Sequence, residues 1–349
     1  MLRSLFAGVS GMRAHQLDMD IIADNIANVN TAGFKASRMT FKEVYSQVLR
    51  QARAPSGGQG GTNPIQVGLG VAMASVDTLL AQGAPQATGR GTDLAIDGAG
   101  FFVLTPDDGT TRYYTRAGNF SVDSGGNLVY LNGMKVMGWN ADLSTWQLKP
   151  TLEALMIPSG ASIPAQPTGE VVLAGNLDAR LQTGQSEQVT VTVYDSLGAQ
   201  HTLVVTFTMQ TPGSWTVSAA EDGNSLTVNP TSITFDSSGL PTTSSFTAGS
   251  YTIDIASMTQ FAQESDPYAV RQDGYAAGSL VRFDVDDTGV ITGFFSNGLT
   301  RPLGQIALAT FPNPEGLVKL SDTLFAESPN SGAARPDAPN SGPRGKLVP

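Results

Sequence analysis

The 349-residue chain contains no cysteine. Disulfides, thiolate catalysis and cysteine-ligated metals are therefore excluded. Charge is scarce: Lys, Arg, Asp and Glu make up 14% of the residues, against roughly 25% in ordinary soluble domains. There are only two histidines, His15 and His201, so few side chains change charge near neutrality. No apolar run approaches the roughly 20 residues that span a bilayer, and membrane insertion is not expected. The N-terminus places "SLFAGVSGM" after Arg3. It lacks the apolar core and the small-residue cleavage site of a secretory signal.

Basic surface is also missing. The net charge is −10, and no basic stripe exists to displace the counterions of a phosphate backbone, so nucleic acid is not an expected partner. The acidity is uneven: residues 1–53 hold seven basic and four acidic side chains, and the rest hold 13 and 26. What the chain has in excess is glycine, 39 residues, together with Thr, Ser and Val. This is the composition of a turn-rich β protein of extracellular type.

One segment departs from that character. Leu5, Val9, Met12, Gln16, Met19, Ala23 and Ile26 recur at alternating spacings of four and three, the seam of an amphipathic helix. "NVNTAG" stops it: Asn28 and Asn30 tolerate left-handed geometry, and Gly33 suits the position after a helix. Gly8 and Gly11 each cost about 1 kcal/mol relative to alanine, so the helix needs a partner, and the sequence offers no second helix to cover it. Leu5, Val9, Met12, Met19 and Ile26, with Asn25, Asn28, Asn30 and Gly33 at the terminus, are the candidate assembly residues.

The rest reads as β structure. Phe41–Arg53 carries a short helical rhythm, and 54–64 is a glycine-rich loop. From Asp93 onward, short runs such as "GFFVLT" and "HTLVVTF" alternate with Asp-Gly, Asn-Gly and Gly-Gly turns. "NFSVDSGGNLVY" and "RFDVDDTGVITG" share one strand-turn-strand style on either side of a proline-rich stretch at 148–168. The expected fold is mainly β: an N-terminal amphipathic α-helix followed by two serial β domains, the outer inserted into the inner. The expected boundaries are 1–33 for the helix, 34–74 for a linker, 75–147 with 269–326 for the inner β domain, 148–268 for the insert and 327–349 for a flexible Pro/Gly-rich tail.

Chemistry is poorly represented. No G-x-S-x-G occurs, and the "GVSG" around Ser10 has the wrong spacing for a nucleophile elbow. "DVDDTG" at 284–289 resembles part of a calcium loop but lacks the closing acid and fits a hairpin turn. "GLG" at 68–70 lacks the strand and third glycine of a dinucleotide site. The aromatic group Tyr113, Tyr114, Phe120 and Tyr130 reads as cross-strand packing ahead of a sugar platform. No catalytic residue, cofactor or metal is assigned, and the protein is read as a non-enzyme. An assembly subunit is the leading reading; a secreted β-rich enzyme or sugar-binding module is the alternative.

Four blocks carry a resemblance. "SLFAGVSGMRAHQLDMDIIADNIANVNTAGFKASRMTF", "LLAQGAPQATGRGTDLAIDGAGFFVL", "YTRAGNFSVDSGGNLVYLNGMKVMGW" and the segment from "RQDGYAAGSLVRFDV" to "SPNSG" are similar to the signatures of the bacterial flagellar rod and hook family of axial proteins. The insert resembles the outer domain of the family's hook members; a distal rod subunit is the alternative within the family. The resemblance implies a structural subunit of the hook, self-assembling into a flexible tube that acts as a universal joint and transmits torque from the motor rod to the filament. It implies a homopolymer as the main partner, with the rod, the hook cap, the hook-filament junction proteins and the type III export apparatus as the others. It also implies an extracellular flagellar location, reached without a cleaved signal. Family members end in a second amphipathic helix after the "SPNSG" region. This sequence stops at Pro349 without one, so one of the two helices of the expected inner tube is missing from it.

Overall fold

A computed structural model describes residues 2–55, 60–158 and 160–349. The chain divides into two compact units: residues 1–159, 283–293 and 301–349 form the first, and 160–282 with 294–300 the second. Among the described residues one α-helix, α1 (Leu2–Ala27), precedes strands and one short 3-10 turn. Among the described residues no helix is long and apolar enough to cross a membrane.

In the first unit, α1 is followed by four strands, β1 (Ser37–Glu43), β2 (Ser46–Arg50), β3 (Ile65–Gly68) and β4 (Val71–Thr78). β1 pairs antiparallel with β4, from Ser37 opposite Thr78 to Glu43 opposite Val71; β2 pairs with β3 between them. The expected linker at 34–74 is therefore largely sheet, and the expected boundary at 74/75 falls inside β4. The helical rhythm read in Phe41–Arg53 also misled. Phe41, Val44, Tyr45, Val48 and Leu49 mimic a helix stripe, but β-branched and aromatic side chains suit a pleated ribbon. Residues 56–59, the centre of the glycine-rich loop, lie outside the described residues.

The core of this unit forms around Phe101–Thr105, buried at all five positions. A continuous apolar run of this kind is what a strand covered on both faces requires. One edge pairs with Tyr113–Thr115, and the other is shared by Lys135–Asn140 and Leu308–Thr310. Phe101, Val103, Tyr114, Met137, Ala309 and Phe325 pack together, with Phe101 edge-on to Phe325 at 5.5 Å.

Residues 327–349 were expected to be flexible, and the structure corrects this. Arg335–Asp337 pairs with Leu308–Thr310, and Lys346–Val348 pairs with Ala95–Asp97. Leu347 is buried, as is Ser331. Arg344 reaches Asp337 at 3.2 Å and donates to the Arg335 carbonyl at 2.9 Å. The composition is too poor in apolar residues to build a core, but it suffices to add strands to one that already exists.

The second unit is a two-sheet sandwich. Ser186–Tyr194, Gln200–Thr211 and Ser214–Glu221 make the meander of one sheet. In the other, Glu170–Asn176 lies parallel to Tyr251–Thr259 and antiparallel to Tyr268–Gln272. The span 257–277 thus supplies the end of one strand and the whole of another. Strict alternation puts Val189, Val191, Val193, Leu203, Val205 and Phe207 into one core with Trp215 and Ile253. The chain passes between units at 159/160, 282/283, 293/294 and 300/301, where a single insert at 148–268 requires two passages.

One turn is used four times. Asp123, Asp195, Asp236 and Asp286 each open an Asp-x-x-Gly turn whose glycine (Gly126, Gly198, Gly239, Gly289) has φ between 76 and 84. In each, the aspartate Oδ1 accepts the backbone N–H groups two and four residues on, at 2.8–3.0 Å. Only glycine enters that φ region without strain, and the aspartate satisfies the turn's free N–H groups. The calcium-like "DVDDTG" is one of these turns, its leading oxygen already filled by donors.

Candidate assembly surface

α1 has two faces. The partly or fully covered positions are Ala7, Ser10, Gly11, Ala14, Asp18, Ile21 and Asn25, small side chains for the most part, and they lie towards the β1–β4 ribbon. Ala14 is buried. Ser10 Oγ donates to the Ala7 carbonyl at 2.7 Å and accepts from Val71 N–H at 3.3 Å. His15 leans on Phe41 with ring centroids 5.2 Å apart. No second helix covers α1 among the described residues, but the strand ribbon covers this face, because small residues let it approach the helix backbone.

The other face is open. Leu5 is 64% exposed, Met12 67%, Met19 62% and Ile26 67%. Val9 is also exposed, and it borders a groove of about 360 Å³ between α1 and β4 that Phe6, Arg13, Leu17 and Met73 help to line. The seam read from spacing is thus the face that the chain itself leaves uncovered. Burying one such side chain fully is worth about 1.5–3 kcal/mol.

The end of the helix is clipped down. Asn25 Nδ2 donates to the Ser37 carbonyl at 2.7 Å, and its Oδ1 accepts Ser37 N–H at 2.9 Å. Both ends of one amide thus satisfy one residue of β1. Asn28 donates to the carbonyl and Oδ1 of Asp24, each at 3.0 Å, and accepts from Thr31 Oγ1 at 3.1 Å. Asn30 is exposed. Gly33 has φ 72, and a Cβ there would collide with the Ala117 backbone. Phe34 lies under Lys319 Nζ, 4.1 Å from the ring centroid. Lys35 is buried and donates to the Ala81 carbonyl at 2.7 Å; burial, and then the nearby Arg116, lower its pKa. Three consecutive residues therefore dock on three separate segments. Lys35 was not singled out from sequence, since its partner is a backbone carbonyl that no motif announces.

The chemistry candidates disperse. His15 and Ser10 are spent on helix packing, and His201 stands in the second unit beside Asp222. Tyr114, Phe120 and Tyr130 are buried, the packing reading of that aromatic group. Among the described residues no group of three or more His, Cys, Asp or Glu side chains is arranged to hold a metal ion.

A β body carrying a clipped helix with an uncovered heptad seam has the form of a helix-bearing assembly subunit. Comparison with known proteins narrows this. Residues 5–35 match the family model described as flagella basal body rod protein, 95–173 that of the flagellar hook protein FlgE/F/G D1 domain, and 161–275 that of the flagellar basal body protein FlaE D2 domain. The chain is 39% identical over 419 aligned residues to the flagellar hook protein FlgE of Treponema pallidum, spanning 100% of this chain and 90% of that one. The basal-body rod protein FlgG of Bacillus subtilis is 50% identical over 140 residues, 40% of this chain and 52% of its own. The crystal structure of Helicobacter pylori flagellar hook protein FlgE2 is similar in fold, with a TM-score of 0.56 at 15% identity over 74% of this chain and 98% of that one.

The chain belongs to the flagellar hook protein family and is a structural subunit of the bacterial flagellar hook. The rod likeness covers less than half of the chain, and the comparisons lend no support to a secreted enzyme or sugar-binding module.

Proposed function

We propose that this subunit polymerises through the open face of α1, which packs on helices of neighbouring copies to line a tube, while the β units form its wall. The tube acts as a flexible universal joint and passes torque from rod to filament. It meets the rod at one end and the junction proteins at the other, with the hook cap present during growth. The subunit carries no catalysis and leaves the cell through the type III export apparatus without losing a signal peptide. Asn25, Asn28 and Gly33 set the angle at which the helix leaves the β body.

The observation that carries this reading is the exposure of Leu5, Met12, Met19 and Ile26 in one row, beside a second face of the same helix already covered. A paired Met12→Asp and Met19→Asp variant tests it in the living cell. Normal amounts of exported subunit, with hooks absent by electron microscopy, are expected. Native hooks built from the variant overturn the proposal.

A further inference from the structure

His201 stands at one end of the second unit with a carboxylate on each side of its ring. Nδ1 is 2.6 Å from Asp222 Oδ2 and 3.9 Å from Glu221 Oε1, and Nε2 is 3.7 Å from Asp195 Oδ2. The two aspartates are used in the same way. Asp195 gives Oδ1 to the N–H groups of Leu197 and Ala199 in its own turn, each at 2.8 Å. Asp222 gives Oδ1 to Thr202 N–H at 2.8 Å. In both cases the remaining oxygen faces the imidazole. Glu221 accepts the Tyr251 hydroxyl at 2.9 Å, and Tyr251 begins a strand of the facing sheet. One imidazole therefore connects two turns of one sheet and, through Glu221, the other sheet of the sandwich.

A neutral imidazole has one N–H and can donate to one of these carboxylates; an imidazolium donates to both sides. We propose that His201 is a proton-operated clasp: its protonated form holds the Asp195–Gly198 turn to the Glu221–Asp222 corner, and its deprotonation frees them. The two aspartates do not titrate in the same range as the imidazole. Backbone donors, foremost Ala199 N–H for Asp195 and Thr202 N–H for Asp222, hold both aspartates below the usual carboxylate range. Burial, and then Glu221, push the Tyr251 hydroxyl up to about 12. The Asp222 hydrogen bond is the main cause that raises His201. The clasp is then complete below the unfolded histidine value of about 6.5 and is lost as pH rises through the higher folded midpoint. Above that midpoint Asp195, Glu221 and Asp222 face one another with no cation between them.

The full chain, with its two histidines, gives an imidazole NMR spectrum in which His201→Gln assigns the signal. His201 is expected to titrate above about 6.5. Amide exchange at Leu197, Ala199 and Thr202, corrected for intrinsic rate, should accelerate as pH passes that midpoint. In H201Q the same amides should exchange fast at every pH. Asp195→Asn, which keeps the turn's acceptor, should move the His201 midpoint down, and this arm stands even if H201Q folds poorly. A His201 midpoint at or below 6.5, equal turn protection on both sides of it, or an unmoved midpoint in D195N each overturns the clasp.

Discussion

Helix α1 and the strand pair Ser186–Tyr194/Gln200–Thr211 are both rows of apolar side chains at regular spacing, and their fates are opposite. On the strands the repeat is two, and Val189, Val191, Val193, Leu203, Val205 and Phe207 all vanish into one core. On the helix the repeat is three and four, and the large side chains stay in water while Ser10 and Ala14 take the covered face. Hydropathy alone does not separate these outcomes. The size of the residues on the opposite face does: the strands put Thr and Gln outward, whereas the helix turns its smallest residues inward and keeps its largest for something else. The first pattern builds a core within the chain, and the second leaves its large side chains exposed in the single chain.

The contrast can be broken from either side. The largest effect should come from Phe207→Ala, which removes a fully buried ring and should cost about 3–5 kcal/mol. Urea denaturation followed by Trp215 fluorescence measures it, and a loss near zero would mean that the sandwich core is not close-packed. Next is Gly33→Val, which forces a β-branched residue into positive φ against Ala117; about 1–3 kcal/mol should be lost from the first unit. Proteolysis near residues 28–37 should speed up with it. Asn25→Ala removes both hydrogen bonds to Ser37 and should cost about 1 kcal/mol, with faster amide exchange at Ser37 as the local signature. The smallest stability change belongs to Met12→Ala, expected within about 0.5 kcal/mol because the site is on the surface. Its polymerisation should nevertheless weaken sharply, as read by sedimentation. A melting loss comparable to that of Phe207→Ala would erase the distinction between the two rows.

Much of this organisation is legible in the sequence, for identifiable reasons. The seam could be read because heptad spacing is local, and "GFFVLT" and "HTLVVTF" because a strand's period shows within six residues. One of the Asp-x-x-Gly turns is visible singly, in "DVDDTG". Their fourfold use emerges only when Asp123, Asp236 and their N–H partners are seen together. The ribbon at 37–78 was missed because Phe41, Val44, Tyr45, Val48 and Leu49 fit a helix template as well as a strand, and pairing decides between them. The C-terminal strands were missed because Arg335–Asp337 and Lys346–Val348 have no apolar pattern of their own. Their order is borrowed from Leu308–Thr310 and Ala95–Asp97. Nothing near Lys35 in sequence points to Ala81.

The pairing of Lys346–Val348 with Ala95–Asp97 sets a clock. At the usual 5–20 residues per second of synthesis, residues 95–97 leave the ribosome on the order of 10–50 s before their partners. That pairing cannot form during the interval, whatever the local preferences, since contacts so distant in sequence wait on the loop between them. The second unit waits less long, though its strand Glu170–Asn176 also precedes its partners Tyr251–Thr259 and Tyr268–Gln272 by a long stretch of chain. A subunit that leaves through an export apparatus, as proposed above, would thus have this two-stranded pairing among the last contacts of its first unit to form, an order fixed by the sequence in which its parts are made.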